Sequence, residues 1–351
     1  LSAAYRIIDV SLNRAGEGLR TLEDYARFVL DDASLSRLAK QLRHDLAAAA
    51  GELPSAERLA ARDTPGDVGT TLTTSSEQVR TDPAAVAMAA AVRCQQALRS
   101  AEEYVKCVQP AVAERLEAIR YQTYSLASAI ETLPRRCRRL AESQLYVLID
   151  ADKSLEALAS HIRLLADAGV DLLQLRDKSL DDRTLFERAR VAVQTVRSCP
   201  ANNRPLLIIN DRPDIAIAAQ ADGVHVGQEE LPYSVVRRLV GSERLIGVST
   251  HSLPQAERAQ LEGADYIGCG PTFASHTKSF ASFPGLAFLQ QVAHSVTLPA
   301  FAIGGIGAGN LDEVLATGMR RIAVTAAVSQ ASAPASAASE LKRRLQASRT
   351  K

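Results

Sequence analysis

LYVLID (Leu145–Asp150), DLLQL (Asp171–Leu175), LLIIN (Leu206–Asn210), GVHV (Gly223–Val226), LIGVS (Leu245–Ser249), ADYIGCG (Ala264–Gly270), LPAFAIGG (Leu298–Gly305) and RIAVT (Arg321–Thr325) are eight short apolar runs. Each has the length of a buried strand, and each is followed by a helix-like stretch. Right-handed crossovers oblige such strands to pair in parallel, so eight β/α units in about 200 residues predict a compact TIM (β/α)8 barrel over residues 145–351. An open doubly wound sheet is the competing topology, but no GxGxxG follows the first run.

Ahead of the barrel the rhythm changes. Tyr5 to Leu30, Leu35 to Ala50, Pro83 to Val108 and Ala111 to Leu133 place apolar residues three or four apart and lack strand candidates, which predicts an all-α helical domain over residues 1–133. The fold class is therefore α/β, a C-terminal barrel behind an N-terminal helical domain, with residues 134–144 as a linker. The break from Gly51 to Arg80 carries ARDTPGDVGTTLTTSSE and is too long for a neutral connection, so it is a candidate functional loop. RAGEGLRTLEDYAR (Arg14–Arg27) is echoed without a gap by RCQQALRSAEEYVK (Arg93–Lys106), as two helices related by a pseudo-two-fold axis would be. The bland alternative is that its Arg and Glu residues are solvated ion pairs.

Bulk composition excludes several functions. Of 41 Lys+Arg and 40 Asp+Glu, 19 basic and 18 acidic residues lie up to Leu140, leaving 22 and 22 beyond it, so neither half has the net basic charge that nucleic acid attracts. The four arginines of PRRCRRL (Pro134–Leu140) read as a solvated linker or a short helix capping the barrel floor. The five cysteines form no CxxC pair and read as buried thiols in a reducing cytosol. Neither a leader peptide nor an apolar run of about 20 residues is found, so the expectation is a cytoplasmic protein without membrane contact. Oligomeric state is left open.

In a barrel of this kind the active site is made at the C-terminal ends of the strands, and here those positions are polar. Gln174, Arg176, Asp177 and Lys178 follow the second run; Asn210, Asp211 and Arg212 follow the third; Gln228, Glu229 and Glu230 the fourth; Ser249 and His251 the fifth; Ser275, Thr277 and Lys278 the sixth. Gly304, Gly305 and Gly307 close the seventh, where backbone N–H groups can approach a phosphate, although glycines also make simple turns. Arg176, Lys178 and Lys278 supply three cations, whereas Asp211 and Glu230 would repel a pyrophosphate. Magnesium resolves that conflict, since it takes one or two carboxylates plus phosphate oxygens. The alternative is that Asp211 pairs with Arg212 and Glu230 caps the next helix. The pattern points to a diphosphate leaving group beside a phosphorylated acceptor.

QLRDK (Gln174–Lys178), INDR (Ile209–Arg212), ADGVHVGQEE (Ala221–Glu230), GVSTHS (Gly247–Ser252), ADYIGCGPTFASHTK (Ala264–Lys278) and AIGGIG (Ala302–Gly307) together resemble the thiamine phosphate synthases, in order and at family spacing across nearly all of residues 145–345. The resemblance implies that hydroxymethylpyrimidine diphosphate ionises to a carbocation, which the nitrogen of hydroxyethylthiazole phosphate captures, giving thiamine phosphate and pyrophosphate. By position it implies that Asp211 and Glu230 hold Mg2+, and that Arg176, Lys178, Asn210, Ser249 and Lys278 hold pyrophosphate. Of these, Arg176, Lys178, Ser249 and Lys278 would carry catalysis. Gln174 would bond the pyrimidine with His225 close by, Ser275 and Thr277 would line the substrate, and Gly305, Thr325 and Ala326 would cup the thiazole phosphate. A cation trapped by a ring nitrogen needs no general base, so His251 is expected to be structural or a binding contact. Two departures stand out: Glu230 occupies a position usually held by the shorter Asp, and Ala274-Ser275 replaces a common Pro-Thr pair.

RIIDVSLNRAGEGLRTLEDYARFVLDD, LRHDL and ARDTPGDVGT resemble the small helical domain often fused ahead of these synthases, covering about residues 5–131. That resemblance implies ATP-dependent phosphorylation of hydroxymethylpyrimidine phosphate, which would feed the barrel. No Walker A pattern is present. Arg14, Arg20, Arg93 and Arg99 are the phosphate candidates, and Asp63 and Asp67 the magnesium candidates. The alternative is a non-catalytic dimerisation or regulatory module. A barrel drifted into a non-catalytic regulator is disfavoured by its retained lysines, Arg176 and carboxylates.

Overall fold

All eight apolar runs form strands, in a computed structural model that describes residues 1–63, 80–151, 154–273 and 284–348. They are β1 (Leu145–Asp150), β2 (Leu172–Arg176), β3 (Leu206–Asn210), β4 (Gly223–Val226), β5 (Leu245–Thr250), β6 (Tyr266–Cys269), β7 (Ala300–Ile303) and β8 (Ile322–Val324). The strands pair in parallel in sequence order, and β8 returns to β1 with Leu145 opposite Ile322, closing the barrel. The chain divides into two compact units, Leu1–Pro134 and Arg135–Lys351.

Strand alternation divides the barrel's apolar residues into two layers. Val147, Leu173, Ile209, Val224, Ile246, Ile267 and Ala302 face outward onto the surrounding helices. Tyr146, Leu172, Ile208, Leu245, Tyr266, Phe301 and Ala323 face inward and fill the barrel. Leu140, fully buried, joins that inner layer.

The N-terminal unit contains α1 (Ser2–Phe28), α2 (Ala33–Gly51), α3 (Ser55–Ala60), α4 (Pro83–Val105) and the greater part of α5 (Pro110–Ala141). Asp32 and Asp82 start α2 and α4 as N-caps, each accepting from a backbone N–H three residues on. A side chain on Gly18 would lie 2.7 Å from the Cβ of Cys94, so the absence of a Cβ lets α1 and α4 pack closely. Cys94 Sγ donates to the Ala15 carbonyl at 3.4 Å, and these two residues are counterparts in the sequence echo. Counterparts that touch are what a two-fold relation places near its axis.

Residues 134–141, read from sequence as part of a linker, instead continue α5 across Pro134. A proline inside a helix costs about 3 kcal/mol, and the segment after it is anchored firmly. The side chains of Asp171, Asp222 and Asp265, immediately before β2, β4 and β6, accept backbone N–H groups at the start of the preceding strand. Arg136 then donates to Asp265 at 2.8 Å and Arg139 pairs with Asp222, while Leu140 fills the floor between them. Arg136 and Arg139 of PRRCRRL are thus fasteners of the barrel floor. None of the five cysteines is in a disulfide, but only Cys94, Cys199 and Cys269 are buried; Cys107 and Cys137 are exposed, contrary to the reading of all five as buried thiols.

Candidate active site

The C-terminal rim of the barrel gathers most of the expected residues. Gln174 and Arg176 lie on β2, Asn210 on β3, His225 on β4 and Ser249 on β5, with Lys178, Asp211 and Glu230 in the segments that follow their strands. Lys178 Nζ lies 3.0 Å from Asp211 Oδ2 and 3.6 Å from Glu230 Oε1, so both carboxylates converge on one cation. Hydrogen bonding to Asp211 holds the Lys178 ammonium above the ordinary lysine range. Arg176, half-buried, has neither a hydrogen-bond nor an ion-pair partner among the described residues.

Asp211 does not pair with Arg212, whose guanidinium is held by Asp182 and Asp214. Its backbone is left-handed, with φ 60°, and its N–H donates to the His225 carbonyl at 2.8 Å. A non-glycine residue in that region stores strain and turns the carboxylate away from the path an extended strand would give it. Glu230 uses its extra methylene to fold back: a Cβ on Gly227 would sit 2.3 Å from Glu230 Oε2. Two converging hard oxygen donors, without a third acidic, His or Cys ligand among the described residues, suit magnesium, which takes its remaining oxygens from phosphates and water.

His225 is buried, and burial pushes its pKa down to about 4. It is neutral near pH 7, with Nε2 2.9 Å from Ser249 Oγ. His251 Nδ1–H donates to the Gly270 carbonyl at 2.6 Å, a contact that fastens the end of β6. After β7, Gly304 and Gly305 have φ 104° and 63°, and a Cβ on Gly304 would lie 2.7 Å from Pro271. Gly304 is therefore required for close packing, while the Gly305 N–H donates to no acceptor among the described residues. Thr325 caps the short α13 (Ala326–Ser329) without a side-chain bond. Ser275, Thr277 and Lys278 lie outside the described residues. A separate cavity of about 510 Å³ at the other end of the barrel is lined by Arg139, Arg197, Asp222 and Arg244, whose guanidiniums are bound to Asp222 or to backbone carbonyls.

In the helical unit the candidates divide. Arg14 and Arg93 are exposed, whereas Arg20 and Arg99 each pair with acids on their own helix, Arg20 with Asp24 and Arg99 with Glu102 and Glu103. Asp63 is exposed beside Arg6, and Asp67 lies outside the described residues. The echo's buried members are Glu23 and Glu102, held by Arg43 at 2.9 Å and Arg120 at 2.8 Å. Sequence reading missed both arginines, although each lies about twenty residues after its acid, on the next helix. It also missed Tyr146 and Tyr266, whose inward strand positions were the available signal.

A family model described as Thiamine monophosphate synthase matches residues 145–328, and a ThiD2 family model matches residues 6–129. The thiamine-phosphate synthase of Rhodopirellula baltica is 52% identical over 332 residues, covering 92% of this chain and 88% of that one. That of Nostoc punctiforme is 40% identical over 330 residues, covering 94% and 91%. Among solved structures, a thiamine phosphate pyrophosphorylase from Pyrococcus furiosus aligns at 32% identity and TM-score 0.52, covering 60% of this chain and 98% of that one. No helix among the described residues is long and apolar enough to cross a membrane. With a polar rim at the C-terminal end of a closed barrel and relatives aligned along nearly its whole length, the chain belongs to the thiamine-phosphate synthase family of transferases.

Proposed function

We propose that the barrel joins hydroxymethylpyrimidine diphosphate to hydroxyethylthiazole phosphate through a pyrimidine carbocation. The observation that carries the reading is the convergence of Asp211 and Glu230 on Lys178 at the rim that also holds Arg176. The methylene C–O bond breaks with its electron pair leaving on pyrophosphate, and the thiazole nitrogen's lone pair then forms the new C–N bond. Negative charge grows on the leaving group, so fixed cations stabilise the transition state more than the ground state. Arg176, Lys178 and Lys278 serve that purpose, with Asn210 and Ser249 as uncharged partners. Asp211 and Glu230 would hold Mg2+, which supplies Lewis-acid charge for the diphosphate oxygens. Gln174 and His225 orient the pyrimidine, Ser275 and Thr277 complete its side of the site, and Gly305, Thr325 and Ala326 receive the thiazole phosphate. No residue need remove a proton.

The helical half, on this proposal, phosphorylates hydroxymethylpyrimidine phosphate from ATP, using Arg14 and Arg93 for phosphates, Arg20 and Arg99 after release from their acids, and Asp63 with Asp67 for magnesium. The match to a second family over residues 6–129 supports a separate role for this half. A cytoplasmic setting fits five cysteines that form no disulfide. Purified full-length protein given both phosphorylated substrates and magnesium is expected to release pyrophosphate and form thiamine phosphate, and Asp211→Ala or Lys278→Ala to abolish this. Normal turnover by both variants would overturn the site. Supplying the Asp211→Ala protein with ATP and the pyrimidine monophosphate tests the helical half by accumulation of diphosphate; none at high enzyme concentration would favour a scaffold.

A further inference from the structure

The polar side chains buried inside the barrel form one continuous chain. Gln174 Nε2 donates to the Tyr146 hydroxyl at 2.6 Å, which lies 3.1 Å from the Tyr266 hydroxyl. The Tyr266 hydroxyl lies 3.2 Å from His225 Nδ1, and His225 Nε2 lies 2.9 Å from Ser249 Oγ. Gln174, Tyr146, Tyr266 and His225 are all buried, so each depends on its neighbours for partners.

Each hydroxyl has one hydrogen, so the amide nitrogen that Gln174 turns to Tyr146 sets the direction of the chain. Tyr146 accepts from Gln174, so its own hydrogen goes to Tyr266, and that of Tyr266 goes to His225 Nδ1. The imidazole then carries its hydrogen on Nε2 and donates to Ser249. We infer that Tyr146 and Tyr266 are positioning residues that hold His225 as its Nε2–H tautomer, so that Ser249 turns its own hydrogen outward, towards an anionic phosphate oxygen. Were the chain reversed, Ser249 would donate to His225 and present only lone pairs, which repel an anion. The strand backbones are shaped to let the chain pass. A Cβ on Gly247 would lie 2.1 Å from Tyr266 Cζ and 2.5 Å from His225 Nδ1, and one on Gly268 would lie 3.3 Å from His225 Cε1. The inference rests on the proposed reading only where it identifies the anion as diphosphate.

The test has two arms on the full-length protein. Nitrogen-15 NMR of histidine-labelled protein, with His225 identified by its loss in His225→Asn, reads the tautomer directly. The expected result is Nε2–H in the parent and a mixed or switched tautomer in Tyr266→Phe; Nδ1–H in the parent would overturn the inference. Calorimetric binding of inorganic pyrophosphate with magnesium is the second arm. Ser249→Ala is expected to weaken it roughly tenfold, and Tyr266→Phe and Tyr146→Phe about three- to tenfold. Adding Tyr266→Phe to Ser249→Ala should then cost less than about twofold more, because both act through one donor. Fully additive losses would assign the tyrosines a merely structural role and refute the inference. Failure of the parent to bind pyrophosphate would refute the diphosphate reading instead, leaving the tautomer to decide the chain's direction.

Discussion

Asp265→Asn removes a charge from the barrel floor without opening a cavity, and it turns one acceptor oxygen into an N–H2 donor facing other donors. The Asp265 carboxylate accepts from Arg136 Nε at 2.8 Å, Arg237 Nη2 at 2.6 Å and the Ile246 N–H at 2.8 Å. Its side chain is 2% exposed, and those of Arg136 and Arg237 are 5% and 19% exposed. Removing one member of a buried pair leaves an uncompensated charge and costs about 3–5 kcal/mol; here two guanidiniums lose their common partner. For a unit of this size each kcal/mol lowers Tm by roughly 2–4 °C, so a fall of about 6–20 °C is expected. Urea denaturation at neutral pH, followed by circular dichroism, should show the midpoint falling with an unchanged slope. Asp222→Asn is the control, because its pair with Arg139 is about one-third exposed (32% and 30%) and is expected to cost only about 1 kcal/mol. A loss below about 1 kcal/mol for Asp265→Asn, or no difference between the two variants, would refute the view that the end of α5 is locked into the floor.

Leu140→Ala should destabilise the barrel by about 2–5 kcal/mol in the same assay, since this fully buried side chain fills the floor. Gly247→Ala should cost about 1–3 kcal/mol by overpacking, because the new methyl would meet Tyr266 and His225; wild-type stability and turnover would show that the barrel relaxes freely there. His225 has a pKa of about 4 in the fold against 6.5 for the free side chain, so the unfolded chain binds the extra proton in that window. Stability is therefore full above about pH 6.5 and falls by roughly 3 kcal/mol towards pH 4, a slope that His225→Gln should flatten.

The barrel was legible because it depends on a short-range property: runs of four to six apolar residues repeating between helical stretches. The rim was legible for the same reason, since the residues that end each strand share one end of a parallel barrel whatever the details of packing. What could not be read depends on contacts distant in sequence. Arg136 and Asp265 are 129 residues apart, and nothing local distinguishes an arginine seated in a buried pair from one in a solvated run. The echo shows the same limit. Arg20 with Asp24 and Arg99 with Glu103 are ordinary pairs along one helix, while the buried carboxylates Glu23 and Glu102 add to such pairs a partner from another helix, Arg43 and Arg120. Tyr146 and Tyr266 read as core aromatics, and only the closed barrel brings their hydroxyls together.

The charge balance of the rim makes the last prediction. Arg176 and Lys178 contribute two positive charges and Asp211 and Glu230 two negative ones, so these four side chains together are neutral. Lys178 is, moreover, already engaged with both acids. A diphosphate carries several negative charges, and Lys278 alone would add only one positive charge. If the two acids were merely structural, they would oppose every oxygen of the ligand, and removing one should tighten pyrophosphate binding. If they hold a divalent cation, its two positive charges cancel theirs in place of Lys178, and the Lys178 ammonium is released towards phosphate. Pyrophosphate affinity should then fall at least tenfold when magnesium is chelated, and Asp211→Asn should lose that magnesium dependence rather than gain affinity. Tighter binding by Asp211→Asn without magnesium than by the parent with it would show that the carboxylates oppose the ligand, and the diphosphate site would have to lie elsewhere on the rim.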